Sequence, residues 1–253
     1  MTGVFEYKTV EVLGVPITCC RFDDILRGMG EIIKNRENGY ISITNTESIY
    51  HATTTLSHLQ YIKGAAFSCC DGVGIVIAGK MLGYEIPRLH GPDLMLKCCE
   101  YGVERRWRHF FYGGKKGVPE LLSKKLTDKF PGLVIAGTYS PPFRRLTPDE
   151  DEAVVDLINR SNPDILWVGL GLLKQEMWIA EHMGKIDVPW MIGVGAAFDF
   201  HAGTIRRSPR FFRNIGLEWL YRLAFEPRML KRNLYSFPFL FLVIKEVLRQ
   251  RKR

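Results

Sequence analysis

The sequence predicts an α/β fold in which a parallel β-sheet is covered by helices on both faces. The chain has 253 residues, a length that suits one α/β domain with an appendage, and 46% of the residues are hydrophobic. Short apolar segments alternate with segments of helical periodicity along most of the chain. In the predicted strands in the middle of the chain, nearly every position is apolar, which is typical of parallel strands that are buried on both faces.

The elements follow in order from periodicity and turn residues. Residues 5–20 predict a short β-hairpin with Gly14 near its turn. Further strands are predicted at residues 40–45, 66–70, 109–114, 133–140, 164–171 and 189–200. Helices are predicted at residues 22–35, 46–65, 73–82, 91–107, 118–130, 147–162 and 174–186. The helix at 147–162 has a complete start signal, in which Thr147 is the N-cap and Glu150 completes a capping box.

The chain is predicted to divide into a core at residues 1–203 and a helical, basic appendage at residues 204–253. The appendage holds 13 Lys or Arg against 3 Asp or Glu, whereas the core holds 22 against 24. The body is therefore nearly neutral and the appendage carries the whole positive excess. Such a basic segment suits a polyanionic partner.

The composition of the appendage favours an anionic membrane surface over nucleic acid as that partner. Arg206, Arg210 and Arg213 are spaced to share one helical face, and aromatic residues are interleaved with them. Residues 236–253 combine aromatic and aliphatic side chains with a polybasic end, which is typical of an interfacial anchor. The longest apolar run, residues 237–244, is far shorter than the roughly 20 residues that span a bilayer.

The cysteines and the first residues predict a cytoplasmic protein. The six cysteines form three adjacent pairs, which is neither a usual disulfide framework nor a C-x-x-C motif. We expect reduced thiols that pack as small hydrophobic side chains. The first residues lack the basic and apolar regions of a signal peptide.

Candidate site residues lie just after the predicted strands, because open parallel sheets bind ligands beyond the carboxyl ends of their strands. Glycine occurs at nearly every such point, where it would let the backbone approach a phosphate or sugar, or simply form a tight turn. The residues at these positions are Asn45, Glu47, Asp71, Gly72, Gly113, Gly114, the segment 169–175, and the segment from Gly195 to Asp199.

Asp71 has three interpretations from the sequence alone: turn former, metal ligand or general base. No second acidic residue is spaced to share a metal ion with it, and the one Asp-x-Asp, Asp149 to Asp151, lies in the first turn of a capped helix. The histidines are scattered. We therefore expect no metal site. Two G-x-G segments lack the rest of a dinucleotide fingerprint, so a nicotinamide enzyme is only weakly indicated.

Five blocks of sequence, in this order, resemble the WecG/TagA/CpsF family of bacterial glycosyltransferases. They are TNTES at 44–48, CDGVGIVIAGKMLG at 70–83 with RLHGPDLM at 88–95, FFYGGKKGV at 110–118, GLGLLKQEMW at 169–178, and the long block at 193–227. The resemblance implies a Rossmann-like core and a metal-independent, inverting enzyme without a cofactor. Such an enzyme moves a sugar from a UDP-sugar to a polyprenyl-diphosphate-linked saccharide at the cytoplasmic membrane face, in wall-polymer, capsule or exopolysaccharide assembly.

The resemblance also implies roles for individual residues. Asp71 aligns with the proposed general base, Arg88 with an arginine that meets donor phosphate, and Gln175 with a substrate-contacting glutamine. Asn45 falls in a polar motif of the pocket, and the appendage arginines would be Arg222 and Arg232. Thr44 and the strand-end residues Gly113, Gly114 and Asp199 complete the expected substrate-binding set. Two positions depart from the family pattern, since Ile43 stands where a threonine is frequent and Met229 where a second basic residue is frequent.

The sequence leaves the transferred sugar open among N-acetylmannosamine, its uronic acid, glucose and similar hexoses. It also leaves open whether the protein forms a homo-oligomer. The main alternative function is a nonenzymatic nucleotide-binding module that uses its basic tail to hold a membrane complex together.

Overall fold

The computed structural model describes residues 7–209, 211–212, 217–225 and 234–250. Its centre is a parallel sheet of six strands in the order β4-β3-β8-β7-β5-β6. A separate antiparallel pair, β1 and β2, precedes it in the chain. The strands are β1 Thr9–Val12, β2 Val15–Thr18, β3 Gly39–Thr44, β4 Phe67–Cys70, β5 Arg108–Gly113, β6 Val134–Tyr139, β7 Ile165–Gly169 and β8 Trp190–Gly193.

Helices connect the parallel strands, because parallel neighbours need a crossover connection. They are α1 Phe22–Asn35, α2 Thr46–Thr54, α3 Leu56–Gly64, α4 Val73–Met81, α5 Gly91–Arg105, α6 Val118–Lys129, α7 Pro148–Ser161, α8 Lys174–His182, α9 Ala197–Ala202, α10 Glu218–Phe225 and α11 Ser236–Gln250.

Two hydrophobic clusters cover the two faces of the sheet. Trp167 packs in one cluster with residues of α1, α5, α6 and α9. Its neighbours Leu166 and Val168 pack in the other with residues of α2, α3, α4, α7, α8 and α11. This alternation follows from the period of two along a strand. The prediction of a parallel sheet with helices on both faces is confirmed.

The predicted N-terminal hairpin is also confirmed. Leu13 and Gly14 both have positive φ, 55° and 75°, as a two-residue hairpin turn of the primed type requires. The hairpin lies against the edge of the main sheet, where Thr18 Oγ1 accepts a hydrogen bond from the backbone of Ser68 at 3.0 Å.

The single helix predicted at residues 46–65 is two helices, α2 and α3. Thr55 between them is extended, with φ −132° and ψ 111°. The hydroxyls of Thr53 and Thr54 bond back to the carbonyls of Tyr50 and His51, at 2.7 and 3.1 Å. Side-chain bonds of this kind compete with helix propagation, and β-branched residues add to the effect. The break turns α3 back so that it packs against α2.

The strand predicted at residues 189–200 was too long. It ends at Gly193, and Ala197–Ala202 forms the short helix α9. Gly195, with φ 50°, turns the chain between the two elements. Phe198 then packs edge-on against Phe111 in the core, which requires the chain to leave the sheet.

The region after Gly203 is not helical throughout. Residues 203–209 carry no helix, so Arg206 does not share a helical face with Arg210 and Arg213, which lie outside the described residues. This segment is held to the core by Arg207, whose guanidinium binds the carboxylate of Asp93 through two contacts of 2.7 and 3.0 Å.

Helix α11 packs on the core through one face and exposes an apolar surface on the other. Phe239 and Val243 are buried against α2 and α4. Phe237 is 73% exposed and Phe241 67% exposed. Among the helices of the described residues, none is long and apolar enough to cross a membrane.

Candidate active site

Three segments meet at the carboxyl end of strand β4. The amide of Asp71 donates to the carbonyl of Thr44 at 2.7 Å, which continues the pairing of β4 with β3. On the other side, the amide of Leu89 donates to the carbonyl of Cys70 at 2.7 Å. The loop before α5 therefore runs beside the end of β4. This arrangement brings Arg88 and His90 next to Asp71, as the expected ligand edge of the sheet requires.

Glycines shape the turn that follows Asp71. Gly72 has φ 118°, a conformation that side-chain-bearing residues rarely adopt, and helix α4 begins directly after it. A Cβ atom at Gly74 would collide with the side chain of Thr46 in the first turn of α2. The N-termini of α2 and α4 therefore approach each other closely beside Asp71.

The carboxylate of Asp71 is partly exposed and faces His90. His90 Nε2 lies 3.8 Å from Asp71 Oδ1 and 2.8 Å from Glu218 Oε2. Burial disfavours the imidazolium, but the carboxylates of Asp71 and Glu218 outweigh it and raise the pKa of His90. One imidazole is thus held between two acidic residues, one from the core and one from α10.

Glu218 is only 5% exposed and is surrounded by cationic groups. Besides His90, Arg88 lies 3.9 Å and Arg207 3.8 Å from its carboxylate oxygens. Burial raises the pKa of Glu218, but the hydrogen bond from His90 and the nearby positive charges lower it below its ordinary value. Helix α10 therefore places a negative charge among the cationic groups of Arg88, His90 and Arg207.

The polar residues at the end of β3 have internal partners. Asn45 caps α2, with its Oδ1 accepting from the amide of Ser48 at 3.0 Å. Thr44 is fully buried, and its hydroxyl lies 3.0 Å from that of Ser42 and 3.1 Å from that of Ser68. The substrate contacts expected of Thr44 and Asn45 stay predictions.

Gln175 and Asp199 also make bonds that stabilise the loops at this edge. Gln175 is buried, and its Oε1 accepts from the amide of Gly195 at 3.0 Å, which ties α8 to the turn after β8. Asp199 Oδ1 accepts from the hydroxyl of Thr204 at 2.8 Å. Their predicted contacts with substrate likewise stay predictions.

A cleft of about 720 Å³ opens at the ends of β5 and β6. Gly114 lines it, and its amide donates to the Gly169 carbonyl at 3.0 Å. At the neighbouring Gly113, a Cβ would lie 2.6 Å from the backbone of Gly169. Phe143 is 93% exposed at the cleft. Other lining residues are Lys115, Lys116, Gly117, Glu120, Thr138, Tyr139 and Ser140. The cleft thus offers two lysines, backbone amides and an aromatic face.

A second cavity, of about 760 Å³, is lined by Tyr7, Arg27 and Trp107 among others. Trp107 directly precedes β5, so this cavity lies at the amino-terminal edge of the sheet. This edge is opposite the one that holds Asp71. The carboxyl ends of the strands and the N-termini of the helices do not meet at the cavity.

A buried polar cluster lies behind the site. His58 Nε2 is 2.9 Å from the hydroxyl of Ser48, and His58 Nδ1 is 3.2 Å from a carboxyl oxygen of Glu176. Burial raises the pKa of Glu176 to about 7 and lowers the pKa of His58 to about 4. With these pKa values, the neutral forms of both side chains are favoured over an ion pair between about pH 4 and pH 7. Glu176 belongs to α8, where it follows Gln175, and Ser48 belongs to the first turn of α2. The cluster therefore joins these two helices.

The structure clarifies several other expectations. Arg222 lies on α10, but its side chain falls outside the described part of the chain, as does Arg232 entirely. The described residues contain no cluster of three or more potential metal-binding side chains. Glu150 bonds Arg144 and its own capping box, and Asp151 bonds His182, which confirms the structural interpretation of the Asp-x-Asp segment.

All six cysteines have free thiols, and all except Cys19 are buried. Burial raises the pKa of Cys98 and Cys99, which keeps them in the thiol form. The expected packing role of these residues is confirmed.

Sequence reasoning did not identify His90 or Glu218 as site residues. Both lie within blocks that carried the resemblance, and His90 follows Arg88 by only two positions. That short spacing was an available signal for His90. No signal paired Glu218 with it, because the contact depends on how the appendage folds back on the core.

Comparison with known proteins gives a consistent result. The family model described as glycosyl transferase WecG/TagA/CpsF family matches residues 10–253. Curated proteins from Staphylococcus aureus strains NCTC 8325, COL and N315 are each 29% identical to the chain over 247 residues. The match covers 96% of this chain and 95% of each relative. Each relative is named N-acetylglucosaminyldiphosphoundecaprenol N-acetyl-beta-D-mannosaminyltransferase.

Proposed function

The chain belongs to the WecG/TagA/CpsF family of glycosyltransferases, and on this premise we propose a specific reaction for it. It transfers a hexose-type sugar from a UDP-sugar to a polyprenyl-diphosphate-linked saccharide, by a metal-independent, inverting step. The transferred group to test first is N-acetylmannosamine, and the acceptor is N-acetylglucosamine on a polyprenyl diphosphate, because the relatives' name specifies both. The uronic acid derivative and glucose are further donors to test.

The position of Asp71 is the observation that carries this proposal. Its partly exposed carboxylate lies at the carboxyl edge of the sheet and faces His90, and Arg88 lies beside Glu218 in the same group of charges. A base and positive charges at one edge are what an inverting transfer requires, since one group must accept a proton while others meet the charge of the leaving diphosphate.

The step itself is a single displacement. The Asp71 carboxylate accepts the proton of the acceptor hydroxyl, while the hydroxyl oxygen attacks the anomeric carbon. The bond from that carbon to the β-phosphate oxygen breaks, and UDP departs with the bonding electrons. Arg88 and the backbone amides at the N-termini of α2, α4 and α8 are placed to stabilise the negative charge that develops on the diphosphate.

The donor extends from Asp71 towards the cleft at β5 and β6. Strand β5 is four strands away from β4, which corresponds to about 19 Å along the edge of the sheet. A nucleotide sugar is elongated, so it can place its base near Phe143 and its sugar near Asp71. Lys115 and Lys116 supply positive charge in this cleft, and Gly113 and Gly114 allow close approach of the backbone.

The appendage at residues 204–253 binds the inner face of the bacterial cell membrane in this proposal. The exposed apolar face of α11 carries Phe237 and Phe241, and lysines and arginines follow towards the end of the chain. Apolar burial together with attraction to anionic lipid supports such peripheral binding. The acceptor is itself a lipid, so membrane binding brings the enzyme to its substrate.

A transfer assay with purified full-length protein separates this function from a nonenzymatic nucleotide-binding module. UDP release and product formation are measured with each UDP-sugar, with and without the lipid-linked N-acetylglucosamine acceptor. We expect release that depends on the acceptor and is unchanged by EDTA. Binding of a UDP-sugar without release, under every combination of donor and acceptor, would instead support the module.

A further inference from the structure

The Nε2–H group of His90 has two acidic neighbours, Asp71 in the core and Glu218 on α10. His90 Nε2 carries one N–H bond, and it lies 2.8 Å from Glu218 but 3.8 Å from Asp71. The hydrogen bond therefore goes to Glu218. Asp71 lies within electrostatic reach of the imidazole, yet its nearer oxygen does not accept that proton.

In the part of the chain that the structure describes, few charged groups surround His90. Asp71 faces it from the end of β4, and Glu218 from α10. Arg207, from the segment after α9, acts on it with the opposite sign. Behind them, Arg88 lies beside Glu218 and Asp93 neutralises Arg207 from α5.

The opposing effects at His90 do not cancel. Burial and Arg207 disfavour the imidazolium, whereas the two carboxylates favour it and raise the pKa of His90. The resulting positive charge faces the Asp71 carboxylate at 3.8 Å. This charge depends on Glu218, because Glu218 is the carboxylate in direct contact with the imidazole.

We propose that His90 and Glu218 are positioning residues for Asp71: Glu218 holds the His90 N–H, so that His90 stabilises the base without occupying its oxygen. The inference rests on the proposed function, in which Asp71 takes the proton of the acceptor hydroxyl. Because Glu218 is on α10, the environment of the base is complete only when this helix is docked on the core.

Substitution of Glu218 by Gln tests the proposal with nearly the same side-chain shape. The amide oxygen can still accept from His90 Nε2, but the negative charge that favours the imidazolium is gone. We expect kcat to fall about tenfold to a hundredfold, with little change in KM for the donor. The basic limb of the profile of kcat against pH moves to lower pH, since the imidazolium loses the carboxylate in direct contact with it.

A second variant approaches the same interaction from the core. His90→Gln removes the imidazolium, so the basic limb that the titration of His90 produces should disappear. Combining it with Glu218→Gln should lower kcat no further than the more severe single change, because both act through one interaction. Glu218→Asp keeps the charge and should restore part of the activity and the position of the basic limb. Glu152→Gln, an exposed change on α7, is the matched control and should leave the profile unchanged.

Profiles that keep their shape in both Glu218→Gln and His90→Gln would overturn the proposal, whatever the size of the loss, because a merely structural effect lowers kcat equally at every pH. Thermal unfolding shows whether each variant is folded. If one of the two is not folded, the pH profile of the other tests the proposal. Asp71→Asn distinguishes the two levels of the account. If this variant is nearly as active as the wild type, the assignment of the base fails. If it is inactive while the pH profiles do not move, only the positioning role fails.

Discussion

Glu176 shows how a single buried group can make stability depend on pH. Its carboxyl group is enclosed by Ser48 and His58, and burial raises its pKa to about 7. A raised carboxyl pKa means that the folded state binds the proton more tightly than the unfolded chain. The stabilisation is therefore complete below about pH 4.5 and is lost as the pH rises towards 7.

The variant Glu176→Gln should remove this dependence. Between about pH 5 and pH 8, the free energy of unfolding of the wild type should fall relative to that of the variant, by at most about 3 kcal/mol. Urea unfolding at several pH values measures the difference. Glu181→Gln, an exposed change on the same helix, is the control and should run parallel to the wild type. A pH-independent difference for Glu176→Gln would contradict the raised pKa.

A site residue could be predicted from the sequence where the signal for it lies in the few residues around it. Asp71 follows an apolar strand and precedes a glycine, which is visible in the sequence, and Arg88 lies within a recognisable block. The position of Glu218 depends on a contact with His90 across 128 residues, and periodicity carries no information on that pairing. The internal bonds of Thr44 and Gln175 were not predictable either, because a polar residue after a strand looks the same whether it faces ligand or packing.

At the level of elements, the approach of α2 to α4 fixes the geometry beside Asp71. Thr46 and Gly74 lie in the first turns of these helices, and a Cβ at Gly74 would meet Thr46 Cγ2. Threonine is stiff at χ1, so its methyl group has little room to move away. The glycine is therefore required by its neighbour, since its own helix would favour alanine.

This requirement predicts a change of sign in a double-mutant cycle. Gly74→Ala alone should destabilise the protein by about 1–3 kcal/mol because of the steric clash. In a Thr46→Ser background the methyl group is absent, and the same change should be neutral or stabilising, through helix propensity. Thermal or urea unfolding of the four proteins measures the cycle. Equal destabilisation in both backgrounds would contradict the proposed contact.

The order and type of most elements could be predicted, and two of the errors have a common cause. Alternating patterns identified each strand and helix, because periods of 2 and 3.6 are local properties. The break at Thr55 arises from hydroxyl-to-backbone bonds, and the early end of β8 from the packing of Phe198. Neither event changes the hydrophobic pattern, so periodicity alone continued both elements too far.

For the whole molecule, the central question is how it meets a membrane-bound acceptor. The described helices provide no membrane span, and α11 exposes five large hydrophobic side chains, those of Phe237, Leu240, Phe241, Ile244 and Leu248. This exposed face of α11 is opposite the one that packs on α2 and α4, which form part of the site. Binding of lipid through α11 would therefore place the end of the sheet near the membrane surface.

Single substitutions test this arrangement without uncovering the core. Phe237→Asp and Phe241→Asp should each weaken binding to anionic vesicles several-fold, because each removes apolar burial and adds repulsion from the lipid charge. Vesicle sedimentation measures the binding. Leu157→Asp, a partly exposed change on α7, is the control and should bind as the wild type does. Unchanged binding of both phenylalanine variants would exclude α11 as the membrane contact.

The most direct test of the account is the turnover of Asp71→Asn in the transfer assay. The change replaces a carboxylate by an amide of equal size, so the fold and donor binding, followed by thermal shift with UDP, should be retained. Turnover should fall by about 10²–10⁴, the usual contribution of a general base. Asp128→Asn, an exposed change on α6, should keep wild-type turnover. Turnover of Asp71→Asn within a few-fold of the wild type would contradict the assignment of Asp71 as the base.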